Sequence, residues 1–332
     1  MLGSLVLLVC VGKLKCRKGE LAMKYESVKR FAGVAIGLCV AAASIGCSRN
    51  NIEAINLANL GDKSLKVNVE GAIEKYEEAT RLDPTNHLIF WKLANAYQKK
   101  EDWDKMASTL SRAIQIAPEF ANYSYKRGLA LMQKAALGNP DAYEEAKPSF
   151  QKCIETDPNY AECYHELGNA MLWTDNEQAA LDNWTKAIEH DPTVAYFYPP
   201  LAETLIALKM YDQAEAILKE GTRIVQPTDD QAKEHLYGAY SLLSMVAQAR
   251  GDSAGQVSAL EKANEVAGEK HPEISYNLGS TYAVLNPPQK EKAVRLLNSF
   301  VKRTCKGGNA AEKFKDQCAA AADLIQKLGG TQ

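Results

Sequence analysis

The chain has 332 residues, of which 46% are hydrophobic and 24% charged, and its formal net charge is −2. Its four tryptophans and fifteen tyrosines exceed what a disordered chain carries, so the composition predicts a folded body with a large core or a long repeat array. Residues 1–46 carry about +5 and the rest therefore about −7, and an acidic body argues against nucleic-acid binding, which depends on lysine and arginine contacts to phosphate.

Residues 1–22 fit neither a leader sequence nor a folded domain. Their apolar run, Leu2–Val11, is too short to span a membrane. We expect this segment to be translated upstream sequence and Met23 to be the true start, because Lys18–Glu20 can be encoded by codons that contain a ribosome-binding sequence. A longer basic leader region is the alternative.

Residues 23–46 have the pattern of a signal peptide, with a basic start followed by the apolar run Phe31–Ile45, which is short for a membrane span. The run ends at Ser44-Ile45-Gly46-Cys47, which resembles the lipobox of bacterial lipoproteins, although Ser44 stands where leucine is usual. The resemblance implies that Cys47 is lipidated and that, with Ser48 next, the protein is retained at the outer membrane. Cleavage after Ala43 by ordinary signal peptidase and a plain membrane anchor are the alternatives.

A repeat signature follows in the stretch Ala161–Pro192. In a 34-residue frame its defining residues are Tyr164, Leu167, Gly168, Met171, Ala180, Trp184, Ala187 and Pro192. Two pairs of prolines, Pro84 with Pro118 and Pro158 with Pro192, are spaced by the same period. The pattern resembles the tetratricopeptide repeat (TPR), in which each unit is a pair of antiparallel helices.

The same register extends from about Ile52 to Phe300 and contains about seven helix pairs, with extra residues at the turn Leu137–Asp141. A final amphipathic helix, Ala310–Leu328, is the predicted cap. The resemblance implies an all-α, right-handed superhelical solenoid with a C-terminal capping helix. The expected organisation is a tether at 47–51, the TPR solenoid at 52–303, and the capping helix and tail at 304–332.

Two pairs of cysteines in the predicted solenoid are candidates for disulfides. Cys153 and Cys163 lie on antiparallel helices that meet across one turn, and a bridge between Cys305 and Cys318 would staple the cap. Export past the inner membrane would allow both bridges. Small buried free cysteines are the alternative.

The sequence carries no pattern typical of catalysis. It has no GxSxG, GxxxxGK[ST] or HExxH motif, and its five histidines are scattered. Cys153, Cys163 and His165 lack the spacing of a metal site, so neither a metal nor another cofactor is expected. Because repeats fill the mature chain, an enzyme is not expected.

By resemblance, fixed positions of each first helix line the concave groove of a TPR solenoid. The groove residues of this chain are then Trp91, Asn95, Tyr125, His165, Asn169, Trp173 and Tyr196. Aromatic side chains of this kind dominate interface energetics, and an amide can both donate to and accept from a partner's backbone. A clamp for acidic C-termini needs a lysine where this chain has an aromatic residue or histidine. The alternative is that these rings pack within the solenoid itself.

The resemblance implies a non-enzymatic protein–protein interaction scaffold, lipid-tethered at the outer membrane and facing the periplasm. It would bind a protein or peptide segment in the groove and assist assembly of an envelope machine of the pilus, secretion or motility type, with no nucleic acid and no small-molecule substrate. One alternative is a soluble or inner-membrane-tethered periplasmic TPR chaperone, for example in cytochrome maturation. Another is a subunit that positions substrate for a catalytic partner.

Overall fold

The computed structural model describes residues 49–267 and 270–330. In these residues it contains sixteen α-helices and one short 3₁₀ helix, and no strand. The predicted all-α fold is confirmed. The predictions for residues 1–22, the signal peptide and Cys47 lie outside the described residues. No helix within the described ranges is both long enough and apolar enough to cross a bilayer.

The chain divides into two compact units, which are described separately. The amino-terminal unit extends to Lys100 and contains α1 (49–64), α2 (Val69–Leu82) and α3 (His87–Lys99). The carboxyl-terminal unit begins at Glu101 and contains α4 (Trp103–Ile116), α5 (Ala121–Ala136), α6 (Asp141–Thr156), α7 (Ala161–Leu172), α8 (Glu177–His190), the 3₁₀ helix (Ala195–Phe197), α9 (Tyr198–Ala207), α10 (Tyr211–Ile224), α11 (Asp230–Ala249), α12 (Ser253–Ala267), α13 (Glu273–Val284), α14 (Lys290–Thr304), α15 (Gly308–Lys313) and α16 (Lys315–Lys327). The fourteen helices α1–α14 match in number the seven helix pairs predicted from the sequence.

Asp-Pro pairs end the second helices of several repeats. The aspartate at each of these ends, Asp83, Asp157 or Asp191, leaves the helical conformation, as the residue before a proline tends to do. The N–H of Asp157 still donates to the carbonyl oxygen of Cys153 at 2.8 Å. Its carboxylate then accepts from the backbone N–H of Asn159 at 3.1 Å, which fixes the turn into the next first helix.

Small residues on first helices face large residues on the second helices of the same pair. Gly168 on α7 faces the fully buried Trp184 on α8, and Gly279 on α13 faces Leu297 on α14. A Cβ atom at either glycine would lie 3.0 Å or less from the opposing side chain. The repeat pattern therefore places glycine where the two helices approach most closely.

In the carboxyl-terminal unit, helices that are adjacent in the chain also pack together. First helices of neighbouring pairs touch as well, since α5 contacts α7 and α9 contacts α11. These helices therefore lie side by side along one face of the unit. At its end, α16 packs against α13 and α14 through Leu297, Phe300, Ala321 and Ile325, so the predicted cap covers the last pair.

Three element boundaries differ from the sequence-based expectations. Residues 49–51, assigned to a tether, are already helical in α1. The fifth first helix begins with a 3₁₀ turn and becomes α-helical only at Tyr198, where consecutive prolines fit the first turn because it needs no N–H donors. The cap consists of two helices rather than one, because the backbone turns at Phe314, whose φ is −109°.

Candidate partner-binding surface

The predicted groove residues divide between the two units. Trp91 and Asn95 lie on α3 of the amino-terminal unit and are half-buried, and Trp91 contacts other groups of the protein. The other five residues lie in the carboxyl-terminal unit. We describe the surface of that unit alone, because it brings most of the predicted residues together.

Aromatic rings on and beside α5, α7 and the 3₁₀ helix form two groups, one around Tyr125 and one around His165. The ring of Tyr125 lies 5.2 Å from that of Tyr160 and 6.3 Å from that of Phe150, measured between centroids. The imidazole of His165 meets the Tyr196 ring edge-on at 5.1 Å. Three predicted groove residues therefore lie on adjacent helices, and part of each ring packs against its neighbours.

His165 is more buried than a groove residue would be. Only 5% of its surface is exposed, and its ring packs on Tyr196 and Phe197. Burial lowers the pKa of His165 to about 4, so the imidazole is neutral at physiological pH. Its Nδ1 has no hydrogen-bond partner among the described residues. A neutral, buried imidazole with one open nitrogen can accept or donate one further hydrogen bond, according to its tautomer.

Asn169 connects this surface to the core. Its Oδ1 accepts a hydrogen bond of 3.0 Å from Nε1 of the buried Trp184. Its Nδ2 donates to Glu166 Oε2 at 3.1 Å. The amide that the sequence suggested for gripping a partner is thus already used on both sides, with one N–H left over. Its structural role is to hold the Glu166 carboxylate in place.

Two glutamates on α7, Glu162 and Glu166, complete the surface. Burial raises the pKa of Glu166, although the hydrogen bond from Asn169 partly counteracts it. Burial, followed by the negative charges of Glu162 and Glu166, raises the pKa of Tyr196 to about 12. Burial and the same two charges also raise the pKa of Tyr125. The two carboxylates therefore act on the same pair of tyrosines.

We refer to this group as the aromatic–carboxylate surface. It consists of Tyr125, Tyr160, Glu162, His165, Glu166, Asn169 and Tyr196.

Trp173 lies apart from the aromatic–carboxylate surface. It follows the last residue of α7, roughly 16 Å along the helix axis from Glu162. Its side chain is 65% exposed and stacks on Tyr143 of α6, with centroids 5.3 Å apart and planes 6° apart. Trp173 and Tyr143 therefore form a separate aromatic pair at the end of the helix, in which Trp173 is exposed and Tyr143 is half-buried.

A cavity of 460 Å³ adjoins the aromatic–carboxylate surface on the side of α11. Tyr196 lines it, together with His235, whose ring centroid lies 6.2 Å from that of Tyr196. The Nε2 atom of His235 is buried and has no hydrogen-bond partner among the described residues. Asp229, the N-cap of α11, is the one carboxylate in the lining, which contains no lysine or arginine. The cavity lies where the fifth pair departs from the repeat register, so the repeat pattern could not reveal it.

Both candidate cysteine pairs are bonded in the structure. Cys153 and Cys163 have Cα atoms 6.2 Å apart, and Cys305 and Cys318 have Cα atoms 5.8 Å apart. Both separations are normal for disulfides. The first pair is fully buried between α6 and α7, and the second joins the end of α14 to α16. Throughout 49–267 and 270–330, no group of three or more histidine, cysteine, aspartate or glutamate side chains is arranged to hold a metal ion.

Comparison with known proteins identifies the repeat. Three family models described as tetratricopeptide repeats match residues 68–101, 89–119 and 141–160. A solved structure, the C-terminal part of a TPR repeat-containing protein from Cytophaga hutchinsonii, is 16% identical. That match covers 76% of this chain and 98% of the other, with a TM-score of 0.58, so the two share a fold.

Two curated proteins are also similar in sequence. The E3 ubiquitin-protein ligase CHIP of Arabidopsis thaliana is 27% identical over 114 residues, which are 34% of this chain and 41% of that protein. The DnaJ homolog subfamily C member 7 homolog of Dictyostelium discoideum is 22% identical over 201 residues, which are 60% of this chain and 34% of that protein. The chain thus spans less than half the length of these two relatives.

Proposed function

We propose that this chain, which is a tetratricopeptide-repeat protein, is a non-enzymatic scaffold tethered by lipid on Cys47 to the outer membrane and facing the periplasm. There it binds a segment of a partner protein along the first helices of its repeats. Through that contact it assists assembly of an envelope machine of the pilus, secretion or motility type. The repeat fold supports protein binding as the general activity, and the tether and the kind of machine are the specific parts of the proposal.

The two disulfides are the main support for the proposed location in the periplasm. Structural disulfides persist in oxidising compartments and are rare in the bacterial cytosol. Cys153 and Cys163 are buried together in the core, where a bridge forms only if the chain folds under oxidising conditions. The predicted leader at residues 23–46, which directly precedes Cys47, supports the same compartment from the sequence.

The aromatic–carboxylate surface supports binding rather than catalysis. A catalytic histidine needs a pKa near the working pH and access to substrate. His165 instead is buried and has a pKa of about 4. What the surface offers to a partner are tyrosine rings, two carboxylates and the adjoining cavity. These groups provide contact area and charge, which are the components of a recognition site.

Lipid labelling tests the tether. The full chain is expressed with a radiolabelled fatty acid, and its envelope is separated into inner and outer membranes. We expect label and protein in the outer membrane, and expect Cys47→Ser to remove the label and release the protein from that fraction. Cys39→Ser, which changes a cysteine within the leader, is the matched control and should keep the label. Label-free wild type in the soluble periplasmic fraction would contradict the tether and favour a soluble chaperone.

Partner capture from solubilised membranes tests the scaffold. A variant that combines Tyr125→Ala, Trp173→Ala and Tyr196→Ala removes three predicted groove residues of the carboxyl-terminal unit, of which none is fully buried. We expect it to retain helicity but lose captured protein. Leu137→Ala, which removes an exposed apolar side chain from the turn between α5 and α6, is the control and should capture normally. If the triple variant captures as well as wild type, the partner binds elsewhere on the chain.

A further inference from the structure

We propose that the aromatic–carboxylate surface recognises an arginine- or lysine-containing segment of the partner protein, with one cationic side chain held between the tyrosine rings and the α7 carboxylates. This inference rests on the proposed scaffold function and adds the chemistry of the partner. It follows from three features of the surface, which are uncompensated negative charge, aromatic rings beside that charge, and buried nitrogens without partners.

The two carboxylates of the surface have no cationic partner in the part of the chain that the structure describes. Among residues 49–267 and 270–330, no lysine, arginine or histidine side chain forms an ion pair with Glu162 or Glu166. Many other carboxylates of the carboxyl-terminal unit do have such a partner, for example Glu144, Glu215 and Glu234. A half-buried carboxylate without a cation is costly, and an external cation would compensate it.

Tyrosine rings border the two carboxylates. Glu162 lies two residues after Tyr160 and about one helical turn before Glu166 on α7, and the ring of Tyr160 lies 5.2 Å from that of Tyr125. His165, which precedes Glu166 in the chain, has its ring 5.1 Å from that of Tyr196. Burial is the larger cause of the raised pKa of Tyr125 and of Tyr196, and the charges of both glutamates add to it. Because these phenols stay neutral at physiological pH, they present aromatic faces without adding charge. An ammonium or guanidinium group is attracted both to such faces and to carboxylates. The attraction to the tyrosine rings and the attraction to the carboxylates therefore act on a cation at the same part of the surface.

Buried nitrogens on either side of Tyr196 are an independent indication of a ligand. His165 lies between the two glutamates in sequence, and its Nδ1 has no hydrogen-bond partner. His235 contributes a second open nitrogen, Nε2, in the wall of the 460 Å³ cavity. Unpartnered buried polar atoms are rare in folded proteins, and those that occur call for an explanation. A ligand that brings hydrogen-bond donors would satisfy each of these nitrogens in the tautomer in which that nitrogen is the acceptor.

Charge complementarity therefore favours a basic segment as the occupant. The cavity continues the surface past Tyr196, and Asp229 is the one carboxylate in its lining, which contains no lysine or arginine. A segment that follows the first helices from α5 to α11 would thus meet carboxylates without meeting a lysine or arginine in the cavity. A second copy of this acidic body would fit less well, since its own charge is negative.

Peptide binding tests the proposal. The probes are a short fluorescent Arg/Ala peptide and matched peptides with Gln or Glu in place of Arg, measured by anisotropy against the mature chain. We expect the Arg/Ala peptide to bind, the Gln/Ala peptide to bind much more weakly, and the Glu/Ala peptide not to bind. Added salt should weaken binding of the Arg/Ala peptide. Equal binding of all three peptides, or none of the Arg/Ala peptide, would overturn the inference.

The decisive variant is Glu162→Gln combined with Glu166→Gln. Glutamine keeps an acceptor for Asn169 while removing both charges, so the helix should fold as before. We expect affinity for the Arg/Ala peptide to fall by about tenfold or more. The matched control, Glu177→Gln with Glu189→Gln, removes the same charge from exposed positions on α8 and should change affinity little. An equal loss of affinity in both variants would mean that the net negative charge of the protein attracts the peptide, and would overturn the assignment to this surface.

The membrane capture assay separates this inference from the scaffold proposal. If the double glutamine variant captures the partner normally while the groove triple variant does not, the scaffold stands and the basic-segment inference fails. If peptide binding behaves as expected but no protein is captured from membranes, the recognition chemistry stands and the scaffold proposal fails.

Discussion

At the scale of single residues, Gly168 sets how closely α7 approaches α8. A Cβ atom there would lie 2.6 Å from Nε1 and 2.7 Å from Cδ1 of Trp184, and 3.1 Å from the carbonyl oxygen of Ala180. The indole is fully buried, and its Nε1 is bonded to Asn169, so the ring cannot move aside freely.

We therefore expect Gly168→Ala to destabilise the carboxyl-terminal unit by about 1–3 kcal/mol, because overpacking outweighs the better helix propensity of alanine. Gly238→Ala on α11 is the matched control. A Cβ atom at Gly238 meets nothing within 4 Å, so this substitution should stabilise its helix by about 0.5–1 kcal/mol. Thermal unfolding followed by circular dichroism compares the two. A rise in Tm for both variants would show that α7 and α8 can separate without cost.

His165 should respond to pH as a buried neutral base. Its folded pKa, about 4, lies below the value near 6.5 of an unfolded chain. Its contribution to stability is then complete above about pH 6.5 and declines as the pH falls towards 4, since the unfolded chain binds the proton first. We expect the NMR signals of the His165 ring, assigned with His165→Gln, to stay unchanged from pH 8 to about 5.5. Titration near pH 6.5 would show that the ring is open to water.

At the scale of elements, one histidine joins α11 to α13. The Nδ1 of His271 lies 3.0 Å from Oε1 of Glu273, in the first turn of α13. Its Nε2 lies 2.8 Å from Oε1 of Glu234 on α11, as an ion-pair contact rather than an aligned hydrogen bond. The ring also stacks on Tyr237 at 3.8 Å. Burial alone would lower the pKa of His271, but the two carboxylates outweigh it and raise that pKa.

The two ion pairs of His271 should stabilise the contact of α11 with α13 only while His271 is protonated. Because its folded pKa is raised, the stabilisation is complete below the unfolded value of about 6.5 and is lost as the pH rises through the folded pKa. We expect wild type to exceed His271→Gln in stability by up to about 1 kcal/mol near pH 6, and the difference to vanish towards pH 9. The Tm of both proteins across this range provides the measurement. A constant difference would mean that stacking on Tyr237, rather than charge, makes the contact.

At the scale of the whole molecule, the sequence predicts what depends on local periodicity. Leu167, Trp184 and Ala187 are buried as the repeat register requires, because helix spacing alone places them on the core side. The register also predicted the turn at Leu137–Asp141 and the cysteine pairs, since both follow from where helices end.

The parts of the site that the sequence missed depend on contacts between helices. Asn169 looked available to a partner, but its carbonyl faces Trp184 fifteen residues further along the chain. Glu166 falls outside the groove positions of the repeat. Its carboxylate nevertheless belongs to the surface, because the hydrogen bond from Asn169 fixes its position and burial raises its pKa. The cavity beside Tyr196 arises from an irregular connection, which repeat periodicity does not describe.

The disulfides connect the fold to the compartment in which it forms. If the chain folds in the proposed periplasmic location, the purified protein, denatured without reductant, should expose none of the four thiols of Cys153, Cys163, Cys305 and Cys318, and should expose all four after reduction. Peptide mapping would assign each pair. Four reactive thiols in the unreduced sample would contradict both bridges and, with them, the main support for an oxidising compartment.

The bridge between Cys305 and Cys318 should act locally, because each element of a repeat array is stabilised mainly by its neighbours. Replacing both cysteines with serine should weaken docking of the cap by about 3 kcal/mol, because the undocked chain then regains the conformational entropy that the closed loop had removed. Amide hydrogen exchange should then accelerate in α15 and α16 but not in α7 and α8, where Cys153–Cys163 remains intact. Faster exchange throughout the carboxyl-terminal unit would show instead that the cap governs the stability of the whole stack.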